Sequence, residues 1–372
     1  MTGFDYHRLR RFPDVEAANL QAWDTTDELL VRHALAAGAP DGEIAVIGDG
    51  YGAITLALAD AGIAGIRVHQ DLVTGRGALA NNAAALGLSG WAAHELDRDL
   101  LAGARLVLLQ LPKALAELEE VADAIARWAA PDVVLVAGGR VKHMSPAQNE
   151  VLARSFAQVQ PQRGERKSRL IVASGARPVP HEPPFPVRQT HDGLTLCAFG
   201  GAFAGSRLDI GTRALLDAMR GLSLPVAAPR VVDLGCGTGA LAASFALRNP
   251  DATVVATDRS AAAVRSAQAT MAANGLAGRV EVTLDDSGSQ LPDGSADLVL
   301  LNPPFHLGAG VHEGAGRRLI RAAARLLRPG GEVWTVFNSH LDHRRALSRD
   351  VGATEQVART PKFTVTRSIR RA

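Results

Sequence analysis

Cysteine is nearly absent from the 372-residue sequence, with only Cys197 and Cys236 present. Two cysteines do not build a disulfide framework, and neither has the neighbours that a zinc site requires. The histidines near the C-terminus also lack ligand spacing: His306, His312, His340 and His343. We therefore expect no metal, and a reducing cytoplasm fits the composition.

Net charge, aromatic residues and long apolar runs are also scarce. Lys and Arg number 40 against 38 Asp and Glu, and aromatic residues make up 4%. Any nucleic-acid partner must therefore be argued from local charge, without an interleaved stacking platform. Apolar runs such as Leu106 to Leu111 are too short to span a bilayer, and Met1 to Arg11 lacks a signal-peptide core. We expect a cytoplasmic protein with no membrane partner.

The chain does contain a regular alternation of short apolar runs and helical patterns. One run, Ile44 to Ile47, enters a glycine turn and is followed by a predicted helix. Further elements are then predicted with these bounds: a strand over Ile66 to His69, a helix over Gly77 to Leu86, a strand over Leu106 to Gln110 and, in the second half, a helix over Ala240 to Arg248. This βαβ alternation predicts an α/β fold with doubly wound, mostly parallel sheets.

The plan occurs twice. Three landmarks recur at a nearly constant separation: Gly48 and Gly235 (187 residues), Gly87 and Gly275 (188), and Gln110 and Asn302 (192). Such constancy predicts a duplicated domain. We predict a first domain over residues 1–176, a proline-rich linker over 177–188 and a second domain over 189–372.

The two copies differ where chemistry is expected. Uncharged residues replace the carboxylates and the amide of the second copy: Val46 for Asp233, Gln70 for Asp258 and Gln110 for Asn302. We interpret the first copy as degenerate, retained for folding and substrate binding. The alternative is that its Gly-x-Gly-x-Gly turn binds another nucleotide.

The second copy carries a cofactor motif, D-x-G-x-G-x-G, between a strand and a helix. The predicted contacts within the motif are Asp233, Gly235, Cys236, Gly237 and Gly239, with Cys236 present as a small residue. Asp258 ends the next strand, where a carboxylate bonds ribose hydroxyls. An NAD site shares these features, but no hydride-transfer constellation accompanies them.

Three further acids are candidates for cofactor contacts. Asp285 and Asp286 follow the third strand, so one of them could accept from an adenine amino group; exposed turn acids are the alternative. Asp209 precedes a predicted helix, as an N-cap or as the floor of the cofactor's methionine end.

The tetrapeptide Asn302-Pro303-Pro304-Phe305 follows a predicted buried strand. The Asn302 oxygen and the Pro303 carbonyl can accept both N–H protons of a planar exocyclic amine, and Phe305 can stack on its ring. With the glycine motif, this loop predicts an S-adenosyl-L-methionine-dependent amine methyltransferase. The alternative is a proline-rich turn.

These motifs resemble those of bacterial ribosomal RNA guanine-N2 methyltransferases, over nearly the whole chain. The matching segments are Leu208 to Gly211, Asp233 to Gly237, Asp258, Asn302 to His306, and Lys362 to Val365. Asn338-x-His340-Leu341-Asp342 is closer to the large-subunit branch. The resemblance implies two tandem class I (Rossmann-like) domains, an N2-methylguanine product, and ribosomal RNA or a ribosomal subunit as partner. The oligomeric state stays open, with a monomer favoured.

Local charge agrees with an RNA partner. From Gly310 to Ala372 there are 13 Lys and Arg against 5 Asp and Glu. A stripe of arginines is predicted on one helix: Arg317, Arg318, Arg321, Arg325 and Arg328. Other acceptors for the same loop are adenine N6 in RNA or DNA and a protein glutamine. A non-enzymatic alternative is a cofactor-binding ribosome assembly factor.

Overall fold

The computed structural model of the chain describes residues 3–38, 41–222, 224–303, 311–341 and 343–372, without the side chains of 311–315. The chain forms two compact units, Met1–Phe185 and Pro186–Ala372. Their boundary lies inside the proline-rich segment.

The first unit is built around one sheet. In the described residues its seven strands have the order β3-β2-β1-β4-β5-β7-β6, and the neighbours are parallel except in the β5–β7 and β7–β6 pairs, which are antiparallel. Its elements are α1 (Thr25–Ala36), β1 (Ile44–Ile47), α2 (Ala53–Asp60), β2 (Ile66–His69), α3 (Val73–Leu86), β3 (Trp91–Ala93), α4 (Arg98–Leu101), β4 (Leu106–Gln110), α5 (Leu115–Trp128), β5 (Val134–Arg140), α6 (Pro146–Ser155), β6 (Phe156–Pro161) and β7 (Ser168–Ala176), with short 3₁₀ turns at Tyr6–Arg8 and Val141–His143.

The second unit repeats this topology after a hairpin. Its described sheet has the order β12-β11-β10-β13-β14-β16-β15. Its elements are β8 (Val187–His191), β9 (Leu194–Ala198), α7 (Ile210–Ala218), β10 (Arg230–Leu234), α8 (Ala240–Arg248), β11 (Thr253–Asp258), α9 (Ala261–Ala273), β12 (Val280–Leu284), β13 (Ala296–Leu301), α10 (Val311–Leu326), β14 (Leu327–Asn338), α11 (His343–Asp350), β15 (Thr354–Arg359) and β16 (Phe363–Ile369).

The central strands are mostly apolar because helices cover both faces of each sheet. All six residues of β13 are buried, as are all four of β1. Apolar residues from alternate strand positions pack into separate clusters on the two faces of the second sheet. The predicted doubly wound α/β fold is therefore confirmed.

Strand register confirms the equivalence of the two copies. Val46 pairs with Val68 and Leu108 on the neighbouring strands. Asp233 occupies the same register position, paired with Ala256 and Leu300. The apolar Val46 therefore stands where the second unit has a carboxylate.

Several observed element boundaries differ from the predicted ones, and two of these differences have a clear physical reason. Helix α3 begins at Val73 instead of Gly77, because the glycines in its first turns serve close packing. A Cβ on Gly75 would lie 2.7 Å from the Gly50 carbonyl oxygen. Arg328 lies in β14 instead of the arginine helix, which ends at Leu326, since a residue before proline disfavours helical geometry.

Candidate active site

The glycine turn of the second unit joins β10 to α8 and is tied to β11. The amides of Gly235 and Cys236 both donate to the Thr257 carbonyl, at 2.8 and 3.0 Å. A Cβ on Gly235 or Gly237 would meet no described atom within 4 Å, so this face of the turn is open. A Cβ on Gly239 would lie 2.8 Å from Met271 Cε. Two glycines therefore expose the backbone, and the third allows close helix packing.

Asp233 lies buried beneath this turn. Its Oδ2 accepts from the Ala242 amide of α8 at 2.9 Å, whereas its Oδ1 is buried and has no hydrogen-bond partner within the described ranges. Burial raises the pKa of Asp233 to about 7; the Ala242 hydrogen bond opposes that rise and the Asp258 charge adds to it. An unpaired buried carboxylate oxygen suits an approaching cation.

Asp258, at the end of β11, reaches the same turn. Its Oδ2 accepts from the Gly237 amide at 2.9 Å, and its Oδ1 accepts from the Ser260 amide at 3.0 Å. The sequence-predicted neighbours are thus brought together at the carboxyl edge of the sheet. A carboxylate has about four lone-pair positions, so ligand hydroxyls can bond to it alongside these amides.

Cys236 contributes its backbone and small size. Burial raises the pKa of its thiol well above the ordinary range, so the thiolate is suppressed. The geometry agrees with a small residue in the turn.

Asp285 and Asp286 are both engaged by residues of their own unit. Asp285 is 2% exposed, and its oxygens accept from the Ser289 hydroxyl and the Gln290 amide. Asp286 forms an ion pair with Arg318. Asp285 still adjoins the site through its backbone, because its amide donates to the Asp258 carbonyl at 2.9 Å. An adenine contact by either carboxylate stays a prediction.

Asn302 lies at the end of β13, opposite the first turn of α7. Its Nδ2 donates to Thr212 Oγ1 at 2.9 Å and to Asp209 Oδ2 at 3.3 Å. Its Oδ1 is buried and has no hydrogen-bond partner among the described residues. Pro303 is buried next to it, and the predicted contacts of Pro304 and Phe305 lie outside the described residues.

Asp209 is the N-cap of α7, as one sequence alternative held. Its Oδ2 accepts from the amides of Gly211 and Thr212 at 2.9 and 3.2 Å. The contact with Asn302, 93 residues away, was not predicted. The feature of the sequence that indicates this contact is a hydroxyl residue, Thr212, at the third position of the helix.

The corresponding edge of the first unit is filled by its own side chains. A Cβ on Gly48, the equivalent of Gly235, would lie 3.3 Å from Gln110 Cβ and 3.2 Å from the Gln110 carbonyl oxygen. Gln70, the equivalent of Asp258, donates to the Asp49 carbonyl at 2.7 Å.

The first turn contains a buried carboxylate of its own, Asp49, at the position equivalent to Cys236 and not to Asp233 or Asp258. This buried side chain accepts from the amides of Gly52 and Thr55, at 3.0 and 2.8 Å. Thr55 corresponds to Ala242, because 242 − 55 is the common offset of 187. Asp49 therefore supports α2 from within the turn, much as Asp233 supports α8 from the strand. The feature of the sequence that indicates this role is an acidic residue between two glycines of the turn, Gly48 and Gly50.

The N-terminal segment covers this first turn, which the sequence also did not predict. Tyr51, inside the turn, donates its hydroxyl to Asp14 at 2.9 Å, and the Arg11 guanidinium lies 4.4 Å from its ring centroid. Asn82 bonds the backbone amide and carbonyl of Arg10, each at 2.9 Å. The segment has no hydrophobic period that would signal its position.

The predicted arginine stripe divides into two groups. Three members are bound to carboxylates of their own unit: Arg318 to Asp286, Arg325 to Asp293 and Arg328 to Asp297. The other two, Arg317 and Arg321, act on Asp350 of α11. The hydrogen bond from Arg349 holds the pKa of Asp350 below its ordinary value, and the charges of Arg321 and Arg317 add to this effect.

An arginine-lined groove lies between α10, α11 and the C-terminal residues. Its volume is about 800 Å³. Five arginines line it: Arg321, Arg325, Arg349, Arg370 and Arg371. Two other features are absent in the described ranges: a helix long and apolar enough to cross a bilayer, and a group of three or more side chains able to hold a metal.

Comparison with known proteins decides the family. Residues 1–177 match the RLMG N-terminal domain, and residues 193–367 match the Methyltransferase small domain. The chain is 35% identical to ribosomal RNA large subunit methyltransferase G of Streptomyces avermitilis, over 100% of this chain and 98% of the relative. The chain belongs to this methyltransferase family.

Another family member, from Ectopseudomonas mendocina, is also 35% identical, over 98% of this chain and 97% of the relative. The fold matches a solved 16S rRNA N2 methyltransferase of T. thermophilus (RsmC), in complex with AdoMet and guanosine. That match has a TM-score of 0.74 at 22% identity, over 98% of this chain and 99% of the other. Membership of a ribosomal RNA methyltransferase family, as the sequence motifs indicated, is confirmed.

Proposed function

We propose that the chain methylates the exocyclic N2 amine of a guanosine in ribosomal RNA, in the cytoplasm, with S-adenosyl-L-methionine as methyl donor. The single observation that carries the proposal is the buried, unpaired Oδ1 of Asn302 at the carboxyl edge of the second sheet. The names of its relatives and the ligands of the T. thermophilus enzyme support the same substrate class.

The second unit fits the cofactor. The open face beside Gly235 and Gly237 offers backbone for close approach. The unpaired oxygen of Asp233 suits the ammonium group of the methionine end, and Asp258 suits the ribose hydroxyls. When bound, this cofactor supplies an electrophilic methyl group on a sulfonium.

Asn302 and Pro303 act on the acceptor. The lone pair of a guanine amine is conjugated with the ring, which makes the nitrogen a poor nucleophile. Two N–H bonds, to Asn302 Oδ1 and the Pro303 carbonyl, favour a nitrogen whose lone pair is available out of the ring plane. Positioning and fixed dipoles provide the catalysis, and the proton released after methylation goes to solvent.

The arginine groove supplies a phosphate contact. Arg321, Arg349 and Arg371 are exposed at its rim on the second unit. Arginines bind phosphate through forked N–H donors, and RNA binding through such contacts depends on salt. The first unit, with its turn filled, serves as a platform for folding and substrate binding.

Mapping of methylated nucleosides in ribosomal RNA from a deletion strain tests this function. We expect one N2-methylguanosine to disappear, and to return with a wild-type copy but not with Asn302→Ala. Loss of N6-methyladenosine or of a protein methylglutamine instead would reject guanine as the acceptor. An unchanged modification map would reject the enzymatic function itself.

A further inference from the structure

We propose that Asp209 and Thr212 are positioning residues that fix the orientation of the Asn302 amide, so that its oxygen faces the acceptor amine. This inference rests on the proposed function and names the residues that make the Asn302 oxygen available. It concerns contacts between α7 and the end of β13, away from the glycine turn.

The need for orientation follows from the shape of an amide. The oxygen and the NH2 group of an asparagine are nearly equal in size, and half a turn of the terminal torsion exchanges them. An exchanged Asn302 would present two N–H donors to an acceptor that itself offers N–H donors. The acceptor bond would then be lost without any change in the position of the residue.

Asp209 removes that ambiguity. A carboxylate accepts hydrogen bonds but has no proton to donate, so only the NH2 group of Asn302 is stable against Asp209 Oδ2, 3.3 Å away. Thr212 Oγ1, at 2.9 Å, takes the other N–H. Both protons of the Nδ2 group are thereby used, and Oδ1 is left on the opposite side.

The helix start holds both partners in place. Asp209 is fixed by two amides of α7, and Thr212 is in the first helical turn, at the third position after this cap. Gly211 lies between them. A Cβ at Gly211 would lie 3.0 Å from Asp209 Oδ2 and 3.6 Å from Asn302 Oδ1. Glycine at this position therefore keeps a side chain away from the Asp209–Asn302 hydrogen bond and from Asn302 Oδ1.

In the first unit the residue at the end of the equivalent strand also contacts the start of a helix, but its side chain lies over the glycine turn. Gln110 donates its Nε2 to Asp27, which occupies the third position of α1, as Thr212 does in α7. The longer glutamine also lies over Gly48. The contact between helix start and strand end thus belongs to the fold, and in the described residues only the second unit combines it with a buried amide oxygen that has no partner.

The test uses the full chain with Thr212→Val, Thr212→Ser and Asp209→Asn. Valine has the shape of threonine but no acceptor, serine restores the hydroxyl, and asparagine remains a good N-cap while losing the acceptor-only character. We expect kcat on ribosomal RNA to fall about tenfold or more for Thr212→Val and Asp209→Asn, the effect of one lost hydrogen bond. Thr212→Ser should stay within about twofold of wild type.

Two further measurements separate orientation from structure. Cofactor affinity should be unchanged, the thermal midpoint should fall by no more than about 4 °C, the cost of one hydrogen bond, and Thr212→Val should lower kcat no further in an Asn302→Ala background. Additive losses of kcat, a much larger decrease in the midpoint or weakened cofactor binding would overturn the inference. So would normal kcat in both variants while Asn302→Ala is inactive, an outcome that leaves the proposed function standing. Asp27→Asn in the first unit is the matched control and should leave kcat unchanged.

Discussion

The two glycine turns have equivalent positions but different surroundings. At Gly48 of the first unit, an added methyl would contact the Gln110 side chain at 3.3 Å, whereas at Gly235 it would meet no described atom within 4 Å. Beneath the second turn a buried carboxylate oxygen is unpaired, whereas Asp49 in the first accepts from amides of α2. The carboxylate of the first turn is hydrogen-bonded within its own unit, whereas the second turn has an open face and a carboxylate oxygen available to a ligand.

The comparison also separates fold from chemistry in the motif. Gly52 and Gly239 are present in both copies because each packs against a later helix of its unit, with a Cβ at 2.6 Å from Leu79 Cδ1 of α3 and at 2.8 Å from Met271 Cε of α9. Asp233 and Asp258 have no such packing duty and are replaced in the first unit. Glycines in such a turn therefore indicate the fold, and the carboxylates indicate the cofactor.

The largest difference between the two units should be in the effect on turnover of replacing the amide residue at the strand end, Asn302 or Gln110. Asn302→Ala should cut turnover on ribosomal RNA by about a hundredfold or more, because one pre-set acceptor in a shielded site is lost. Cofactor affinity should stay nearly unchanged. Gln110→Ala is the matched control and should leave turnover unaffected. Near-normal turnover of Asn302→Ala would reduce the tetrapeptide to a structural turn.

The second difference concerns Asp258 and Gln70. Asp258→Ala should weaken S-adenosyl-L-methionine binding by about 1.5–3 kcal/mol, the range for hydrogen bonds to a charged group. Gln70→Ala should leave binding as it is. A calorimetric titration of both variants measures this, and equal losses would contradict the assignment of the site to the second unit.

The pH dependence of cofactor binding sharpens the role of Asp233. Its pKa is raised to about 7, so protonation increases as pH falls below 7, and the ionised form is the one that favours an ammonium group. Affinity should therefore fall with pH below about 7, by up to about tenfold per unit for one proton. Asp233→Asn should flatten this part of the profile. A pH profile unchanged by that substitution would reject the contact between Asp233 and the cofactor, and the role of Asp233 would then be limited to its hydrogen bond with α8.

The smallest expected effect is at the arginine groove. The double charge reversal of Arg321→Glu and Arg371→Glu should weaken RNA binding several-fold. It should also reduce the salt dependence of binding, because fewer counterions are released when the protein makes fewer phosphate contacts. The double reversal of Arg188→Glu and Arg220→Glu, at exposed arginines of the same unit outside the groove, is the matched control. Equal losses in both proteins would show a general charge effect instead of a groove.

Local sequence patterns predicted most of the fold. Buried strands gave continuous apolar runs, and the observed bounds of Ile66–His69, Leu106–Gln110 and Ala240–Arg248 equal the predicted ones. The meeting of Asp258 with the glycine turn followed from parallel strands that end at one sheet edge. Contacts between distant residues without periodicity were not predictable. Asn302 with Thr212 and the N-terminal segment over Tyr51 are examples.

Titration of the full chain with S-adenosyl-L-methionine tests the central claim most directly. The claim is that only the second unit has an open turn with carboxylates for this cofactor. Isothermal calorimetry should give one site per chain, and Asp258→Ala should weaken that site. A stoichiometry of two, or one site that persists unchanged in Asp258→Ala, would contradict the account.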